Sequence, residues 1–348
     1  MNNYSRYNDS KLSIQITEEP VVLDLFAGCG GLSLGFESVG FETIGYEMVP
    51  EAVDTYNKNL KGHCFCDKLS VGYEYPKNKN IDIVIGGPPC QPFSVFGNQL
   101  GMKDVRDGFP IFIDAVARLR PKVFMFENVR NLAFSHRDYL EMILSELRKV
   151  GYIIEMRVLN AVGYGVPQTR ERLIVVGHQS KFTYPAESLV KITVGDALSD
   201  LIEIVEDPTK ILTPRQDEYI ATYEKKSHCK RPRDLHQELP SRTVTCRNLA
   251  GATSDMLRVN LRDGRRKRVS VREAARLQSF PDWFDFCGNE TKQYNQIGNA
   301  VPPMLAHHIA MSVKETYYKK CLPNDEIVKI NKKVETELKL RNILNPGK

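Results

Sequence analysis

Tryptophan occurs once in 348 residues, and cysteine eight times, at positions 29, 64, 66, 90, 229, 246, 287 and 321. Thiols this scattered, with no paired CxxC groups, exclude a disulfide framework, so reduced cysteines are expected. His63, Cys64 and Cys66 come nearest to a ligand cluster, but no second group completes four, and no metal is expected. No apolar run approaches the roughly 18 to 20 residues of a membrane span. The opening MNNYSRYNDSKLSIQ lacks the apolar centre of a signal peptide. A cytoplasmic protein with no membrane partner is therefore expected. Repeats and low-complexity tracts are also missing. What remains is a chain with 42% hydrophobic residues, enough for a substantial core, and a length that allows two domains.

The net charge of +5 is unevenly spread: residues 181–272 hold 18 Lys and Arg against 13 Asp and Glu, and the rest of the chain is neutral. Residues 258–272 supply Arg258, Arg262, Arg265, Arg266, Lys267, Arg268 and Arg272 against Asp263 alone, and 225–233 supply five cations without an acid. One such cluster would read as a solvated face. Two in one segment suit a polyanion, because each neutralised phosphate releases condensed counterions.

From about 20 to 180 the pattern alternates between β-branched apolar runs and amphipathic helices: VVLDLFAG, LSLGFESVG, FETIGYE, AVDTYNKNL, IDIVIGG, IFIDAVARLR, KVFMFEN, YLEMILSELRKV, YIIEMRVLNA and RLIVVG. This is the signature of an α/β, doubly wound fold with a parallel sheet covered on both faces. At about 181 the alternation stops, and Pro, Thr, Arg and short irregular strands take over. The expected organisation is a catalytic domain over 20–180, completed by 289–322, and a smaller irregular domain with its hinge over 181–288. Termini 1–19 and 323–348 flank them, the latter a charged surface helix or frayed tail.

Three strand ends carry the chemistry. The first runs into Phe26-Ala27-Gly28-Cys29-Gly30-Gly31, a glycine turn that lets a ligand approach the backbone and the following helix N-terminus. Position 33 is serine, so the dinucleotide GxGxxG pattern is not met. The next strand ends in Glu47, where a carboxylate can accept both ribose hydroxyls of a nucleoside. The third junction, Gly86-Gly87-Pro88-Pro89-Cys90-Gln91-Pro92-Phe93-Ser94, presents one thiol on a loop fixed by proline at the carboxyl edge of the sheet. Cys90 has glycine, proline and glutamine as neighbours, not the surroundings of a packed core cysteine. The strand after that ends in Glu127-Asn128-Val129, which brings a carboxyl to the same edge as a candidate general acid.

FAGCGGLSLGF, GGPPCQPFS, Glu127-Asn128-Val129, Gln168-Thr169-Arg170-Glu171-Arg172, REAARLQSFPDWF and Gly298-Asn299-Ala300-Val301-Pro302-Pro303 stand in the order and spacing of the DNA cytosine-5 methyltransferases. Over about 20–320 the chain resembles the compact bacterial and phage modification enzymes of that family. One departure is Cys66-Asp67-Lys68-Leu69, where the family usually has Gly-Asp-Ile.

The resemblance implies an S-adenosylmethionine-dependent, Rossmann-like catalytic domain joined to a target-recognition domain. It implies methyl transfer to C5 of a cytosine flipped out of a short specific double-stranded DNA sequence, with S-adenosylhomocysteine as product. Cys90 is the implied nucleophile, adding at C6 so that C5 becomes an enamine carbon. Glu127 would hydrogen-bond N3 and the exocyclic amine, Arg172 would hold O2, and Arg170 would bind a phosphate or the active-site loop. Ion pairing is the alternative role for both arginines. Phe26, Ala27, Gly28, Gly30, Leu32, Glu47, Met48, Asp67, Pro88, Asn299 and Val301 are the implied cofactor contacts. Ser94 and Phe96 lie on the loop expected to close over DNA. Arg242, Thr245 and Arg247 are expected to read base edges, and Arg265, Arg266, Lys267 and Arg268 to meet phosphates. A monomer is expected, within a restriction–modification system whose paired endonuclease it need not touch. The rival expectation is a tRNA cytosine-5 methyltransferase, which shares the catalytic motifs.

Overall fold

The computed structural model describes residues 1–15, 20–76, 79–89, 107–228, 233–251 and 254–344, with side chains up to residue 338. Cys90, Ser94 and Phe96 lie outside the described residues.

After helix α1 (Asn3–Lys11), the chain alternates: β1 (Val21–Leu25), α2 (Gly31–Glu37), β2 (Glu42–Glu47), α3 (Pro50–Asn59), β3 (His63–Cys66), β4 (Ile83–Gly86), α4 (Phe109–Leu119) and β5 (Val123–Val129). The short α5 (Asn131–Phe134), α6 (Arg137–Val150), β6 (Ile153–Asn160) and β7 (Glu171–His178) follow. The strands form one seven-stranded sheet in the order β3-β2-β1-β4-β5-β7-β6. Every residue of β1 and β4 is buried, as a sheet covered on both faces requires. On one face Leu23, Leu25, Val84, Phe124 and Phe126 pack with α4 and α6. On the other, Val22, Ile83, Ile85 and Met125 pack with Leu32 and Phe36 of α2.

The sheet is not wholly parallel. β7 runs antiparallel to both β5 and β6. The reason is local: only a 3-10 turn at Ala161–Tyr164 and a few residues join β6 to β7, too little chain for the helical crossover that a parallel pair needs. His63, Cys64 and Cys66 belong to β3, where Cys64 is buried against α3 and the His63 ring lies edge-on to Phe65.

Beyond β7 come α7 (Val194–Leu198), α8 (Pro214–Lys226), α9 (Cys246–Ala250), the hairpin β8 (Arg258–Asn260) and β9 (Arg266–Arg268), α10 (Val271–Leu277) and α11 (Glu290–Asn299). Threonine or serine caps start four of these short helices, at Thr193, Thr213, Thr245 and Ser270, each with a reciprocal bond from the third residue. Helix α12 (Pro303–Tyr317) then returns to lie against α2, and α13 (Asn324–Leu344) ends the described chain. The α2–α12 approach is set by Gly35, where a Cβ would stand 2.4 Å from that of Ala306 and 2.5 Å from the His307 nitrogen. Among the described residues, no helix is long and apolar enough to cross a membrane.

Two buried imidazoles give the fold a pH limit. Burial lowers His178 and His307 from 6.5 to about 4. The unfolded chain therefore binds protons that the folded chain refuses, and their contribution to stability is lost as pH falls from about 6.5 toward 4. His307 Nδ1 lies 2.7 Å from Ser38 Oγ. Replacing His307 with Gln keeps an amide available to Ser38 and removes the titration. Urea unfolding of His307→Gln should show a shallower loss of stability between pH 7 and pH 5 than the native chain; an equal loss would remove His307 from the account.

Candidate active site

The strand order reverses between β1 and β4, so the loops leaving their carboxyl ends diverge and open a crevice, the general ligand position of such sheets. Leu25 pairs with Gly86 and Gly86 with Phe126, which sets the glycine turn, the Pro88 loop and Glu127 side by side at one edge. A Cβ on Gly86 would lie 2.5 Å from the Leu25 carbonyl, so only glycine lets these two strands end together.

The glycine turn is strained and open. Phe26 has φ of 63°, unusual for a side-chain-bearing residue, and Gly28 and Gly30 have φ of 55° and 88°. Among the described residues, nothing lies within 4 Å of where a Gly28 Cβ would stand. Glu47, at the end of β2, steadies the turn: its Oε2 accepts from Gly28 N at 3.0 Å, and its Oε1 accepts from Met48 N and Val49 N at 2.8 and 2.9 Å. Met48 is 64% exposed. Asp67, at the end of β3, accepts the Tyr73 hydroxyl at 2.6 Å. An open glycine cradle with two carboxylates along its rim fits an adenosine bearing a cationic tail.

Leu32, expected to touch the cofactor, is buried in the apolar cluster that also holds Val301. A Cβ on Gly31 would lie 2.6 Å from the Val301 carbonyl, so the Asn299–Val301 turn abuts the start of α2. Asn299 itself is exposed, and its Oδ1 accepts from Cys246 Sγ at 3.0 Å.

Glu127 and Arg172 come together. Oε1 of Glu127 meets Nε of Arg172 at 2.8 Å, and both side chains are largely buried. Arg172 Nη1 also donates to its neighbour's carbonyl, Glu171 O, at 2.8 Å. Gly87 sits above the pair, its Cβ position 3.9 Å from Glu127 Oε2. Asn128, next on β5, donates to the Pro88 carbonyl at 2.9 Å and so ties the loop leading to Cys90 to the strand that carries Glu127.

Arg170 is elsewhere. It is 1% exposed and donates to the carbonyls of Val244 at 2.6 Å, Ala300 at 3.0 Å and Gly298 at 3.3 Å. Burial and the nearby Arg172 lower its guanidinium to about 9, still cationic at neutral pH. A group enclosed by three carbonyls reaches no phosphate, so the expectation of a phosphate contact is corrected to a clamp between segments.

The smaller part holds a cleft of about 940 Å³ whose walls include Tyr223, Arg233, His236, Arg242, Thr245, Arg247 and Asp255. Arg242 and Arg247 thus stand on one surface. Thr245 is partly committed, since its hydroxyl caps α9. Asp255 holds both Arg247 Nε at 2.7 Å and Arg233 Nη2 at 3.4 Å. Arg233 belongs to the cationic run at 225–233; His236, Tyr223 and Asp255 have no local sequence pattern to mark them.

The second basic run is not the free cationic stripe its sequence suggests. Arg258 is fully buried between Asp234 at 2.6 Å and Glu224 at 2.9 Å. Lys267 is 3% exposed and pairs with Glu273 at 3.0 Å. Arg266 pairs with Asp217 at 2.6 Å and Asp234 at 3.2 Å, while Arg268 donates to the Leu249 carbonyl at 2.8 Å. Arg258, Arg266 and Lys267 hold β8, β9, α8 and α10 together and Arg268 ties β9 to α9, which corrects the assignment of Arg266, Lys267 and Arg268 to phosphates. Arg262, 89% exposed, and Arg265 at the hairpin tip, paired with Asp263, remain at the surface.

A profile of the family described as C-5 cytosine-specific DNA methylase matches residues 21–315. The chain is 54% identical over 312 residues to the Type II methyltransferase M.AplI of Arthrospira platensis, covering 89% of this chain and 90% of that one. It is 33% identical to the Type II methyltransferase M1.HphI of Haemophilus parahaemolyticus, over 84% and 86% of the two chains. Among solved structures, the Entamoeba histolytica methyltransferase EhMeth shares the fold with a TM-score of 0.67 at 17% identity, over 87% of this chain and 98% of that one. The Dnmt2 methyltransferase of S. pombe does so with a TM-score of 0.65 at 18% identity, over 85% and 99%. Profile, relatives, fold and the geometry of the crevice agree, and the chain belongs to the C-5 cytosine-specific DNA methylases, enzymes that methylate cytosine in DNA at C5.

Proposed function

We propose that this enzyme methylates one cytosine within a short double-stranded DNA sequence, using S-adenosylmethionine and a transient bond between Cys90 and C6 of the base. The observation that carries the reading is the Glu127–Arg172 pair, beside Gly87 at the edge where the strands leading to the glycine turn and to Pro88 end. The relatives' names point to a restriction–modification setting, with a partner endonuclease that acts on the same sequence and need not touch this chain.

Cytosine C5 is too weak a nucleophile to take a methyl group unaided. Addition of the Cys90 thiolate at C6 pushes electron density through the ring to C5. Glu127 donates a proton toward N3 and accepts from the exocyclic amine, offsetting the charge that develops during addition. Arg172 keeps the Glu127 carboxyl in place and turns toward O2. Bound S-adenosylmethionine supplies an electrophilic methyl group on a sulfonium. Phe26, Ala27, Gly28 and Gly30 would hold its methionine part, Glu47 the ribose, and Met48, Asp67 and Pro88 the adenine, with Asn299 and Val301 closing the site. Loss of the C5 proton to water then expels Cys90 and restores the ring. Because C6 is unreachable in a stacked base, the target nucleotide must be flipped out, at a cost of a few kcal/mol that the smaller domain's contacts offset. Arg242 and Arg247 face the cleft and are the proposed readers of base edges; arginine is the usual reader of guanine.

Incubation with labelled S-adenosylmethionine and either duplex DNA or tRNA tests the reading. Label should enter duplex DNA and be recovered as 5-methylcytosine; label in tRNA alone would overturn it. Glu127→Gln keeps shape and removes the titratable proton. Single-turnover methyl transfer should slow by about 10² or more while S-adenosylhomocysteine binding stays within a few-fold; near-normal turnover would reduce Glu127 to an anchor. For the basic hairpin, Arg262→Gln and Arg265→Gln should each flatten the salt dependence of DNA binding by about one unit. Arg266→Gln should instead lower the unfolding midpoint. A reversed pattern would return Arg266 to the phosphate contacts.

A further inference from the structure

Gln168 lies in the segment before β7, fully buried, beside the segment 241–245 that carries the proposed readers. The two run parallel: Thr169 N donates to Ser241 O at 2.7 Å, Ser241 N to Pro167 O at 2.8 Å, and Thr243 Oγ1 to Thr169 O at 2.7 Å. At Val244 both backbone groups are held by side chains from this strip. Its N–H donates to Gln168 Oε1 at 2.8 Å, and its carbonyl accepts from Arg170 Nη1 at 2.6 Å.

The same side chains reach the other way. Gln168 Nε2 donates to Leu277 O at 2.9 Å and to Gln278 Oε1. Gln278 Nε2 donates to Ile297 O and Ala300 O, both at 2.8 Å, and Arg170 Nη2 adds bonds to Gly298 O and Ala300 O. The turn so held has backbone contact on two sides. A Cβ at Gly298 would lie 2.3 Å from Cys246 N and 2.6 Å from Thr245 C, so the reading segment rests directly on it. Val301, three residues on, presses its carbonyl against Gly31 at the end of the glycine turn. One buried network thus grips Val244 at one end and, at the other, the turn that abuts the cofactor cradle.

We propose that Gln168, Arg170 and Gln278 are positioning residues that couple sequence reading to cofactor binding, with turn 297–301 as the mechanical link. The proposal rests on the reading of 241–247 as the DNA-facing segment and of the glycine turn as the cofactor cradle. Neither end can shift without carrying the other, because a shift at one end alone would leave buried donors and acceptors unpaired. A ligand that fixes one end therefore lessens what the other ligand must order, and the effect is reciprocal.

The test measures S-adenosylhomocysteine affinity by calorimetry with the native chain and with Gln278→Met. Each is examined alone, with a duplex carrying the methylated site once mapped, and with a scrambled duplex. The site duplex should tighten binding to the native chain by about tenfold and the scrambled duplex by little. In Gln278→Met, which keeps length but lacks both amide donors, affinity without DNA should stay within about threefold while the tightening by the site duplex falls below about threefold. A network that merely holds the fold together would lower the folded fraction and leave the tightening intact. Should Gln278→Met fail to fold, hydrogen exchange on the native chain decides: S-adenosylhomocysteine alone should slow exchange at 244–248, and the site duplex alone should slow it at 297–301. Full tightening in folded Gln278→Met, no tightening in the native chain, or no cross-protection would overturn the coupling. Failure of the native chain to bind S-adenosylhomocysteine at all would instead overturn the cofactor assignment.

Discussion

The reversal of strand order between β1 and β4 is the constraint on which the site depends. At that break, adjacent strands send their helices to opposite faces, and the loops above them part. The glycine turn, the Pro88 loop and Glu127 each come from a different strand, yet register brings their ends within one crevice. Once the loops share that edge, short links suffice: Asn128 ties the Pro88 loop to β5, and Glu47 ties the glycine turn to β2. Chemistry that needs a thiol, an acid and a cofactor together is served by parallel strands that end at one level.

The smaller part solves a different problem with different means. Its segments are short and irregular, and among the described residues Ile220 of α8 packs in a small cluster with Leu212 and Met256. Arg258, Arg266 and Lys267 add cohesion beside the apolar cluster that holds Leu235, Leu257 and Val259, each of the three cations enclosed by carboxylates or carbonyls. Removing one partner from such a buried pair leaves an uncompensated charge, a cost of about 3 to 5 kcal/mol. Positive charge is therefore divided between holding this part together, around β8 and β9, and the cleft and hairpin surface proposed to meet DNA.

What could be read from the residues alone follows the same division. The alternation of β1, β2, β4 and β5 with their helices was legible because buried strands and amphipathic helices imprint different periods on the sequence; β3, exposed at three of its four residues, was not. The order of the motifs places the glycine turn, the Pro88 loop and Glu127 at the carboxyl ends of successive strands, where the register sets them side by side. Illegible were features set by residues far apart in the chain. β7 reads as one more buried strand, and only the short link at Ala161–Tyr164 turns it antiparallel. The run 258–268 looks like a phosphate-binding stripe because its acids, Asp217, Glu224, Asp234 and Glu273, are scattered through the flanking helices and loops. Arg170 and Arg172, two residues apart, share a motif but not a role: one pairs with Glu127, the other clamps Val244 to the 298–300 turn. Gln278 lies within the REAARLQSFPDWF motif, but its part appears only where Ile297 and Ala300 meet it.

Covalent chemistry at Cys90 is the central claim, and a substrate that arrests it tests it most directly. In a duplex whose target cytosine carries fluorine at C5, addition and methyl transfer proceed, but fluorine cannot depart as a proton does, so Cys90 cannot be expelled. With S-adenosylmethionine present, the native chain should remain joined to this duplex through denaturing electrophoresis. Cys90→Ala should bind the duplex and leave no such band. A band that persists in Cys90→Ala, or its absence from the native chain at a verified site, would contradict the account.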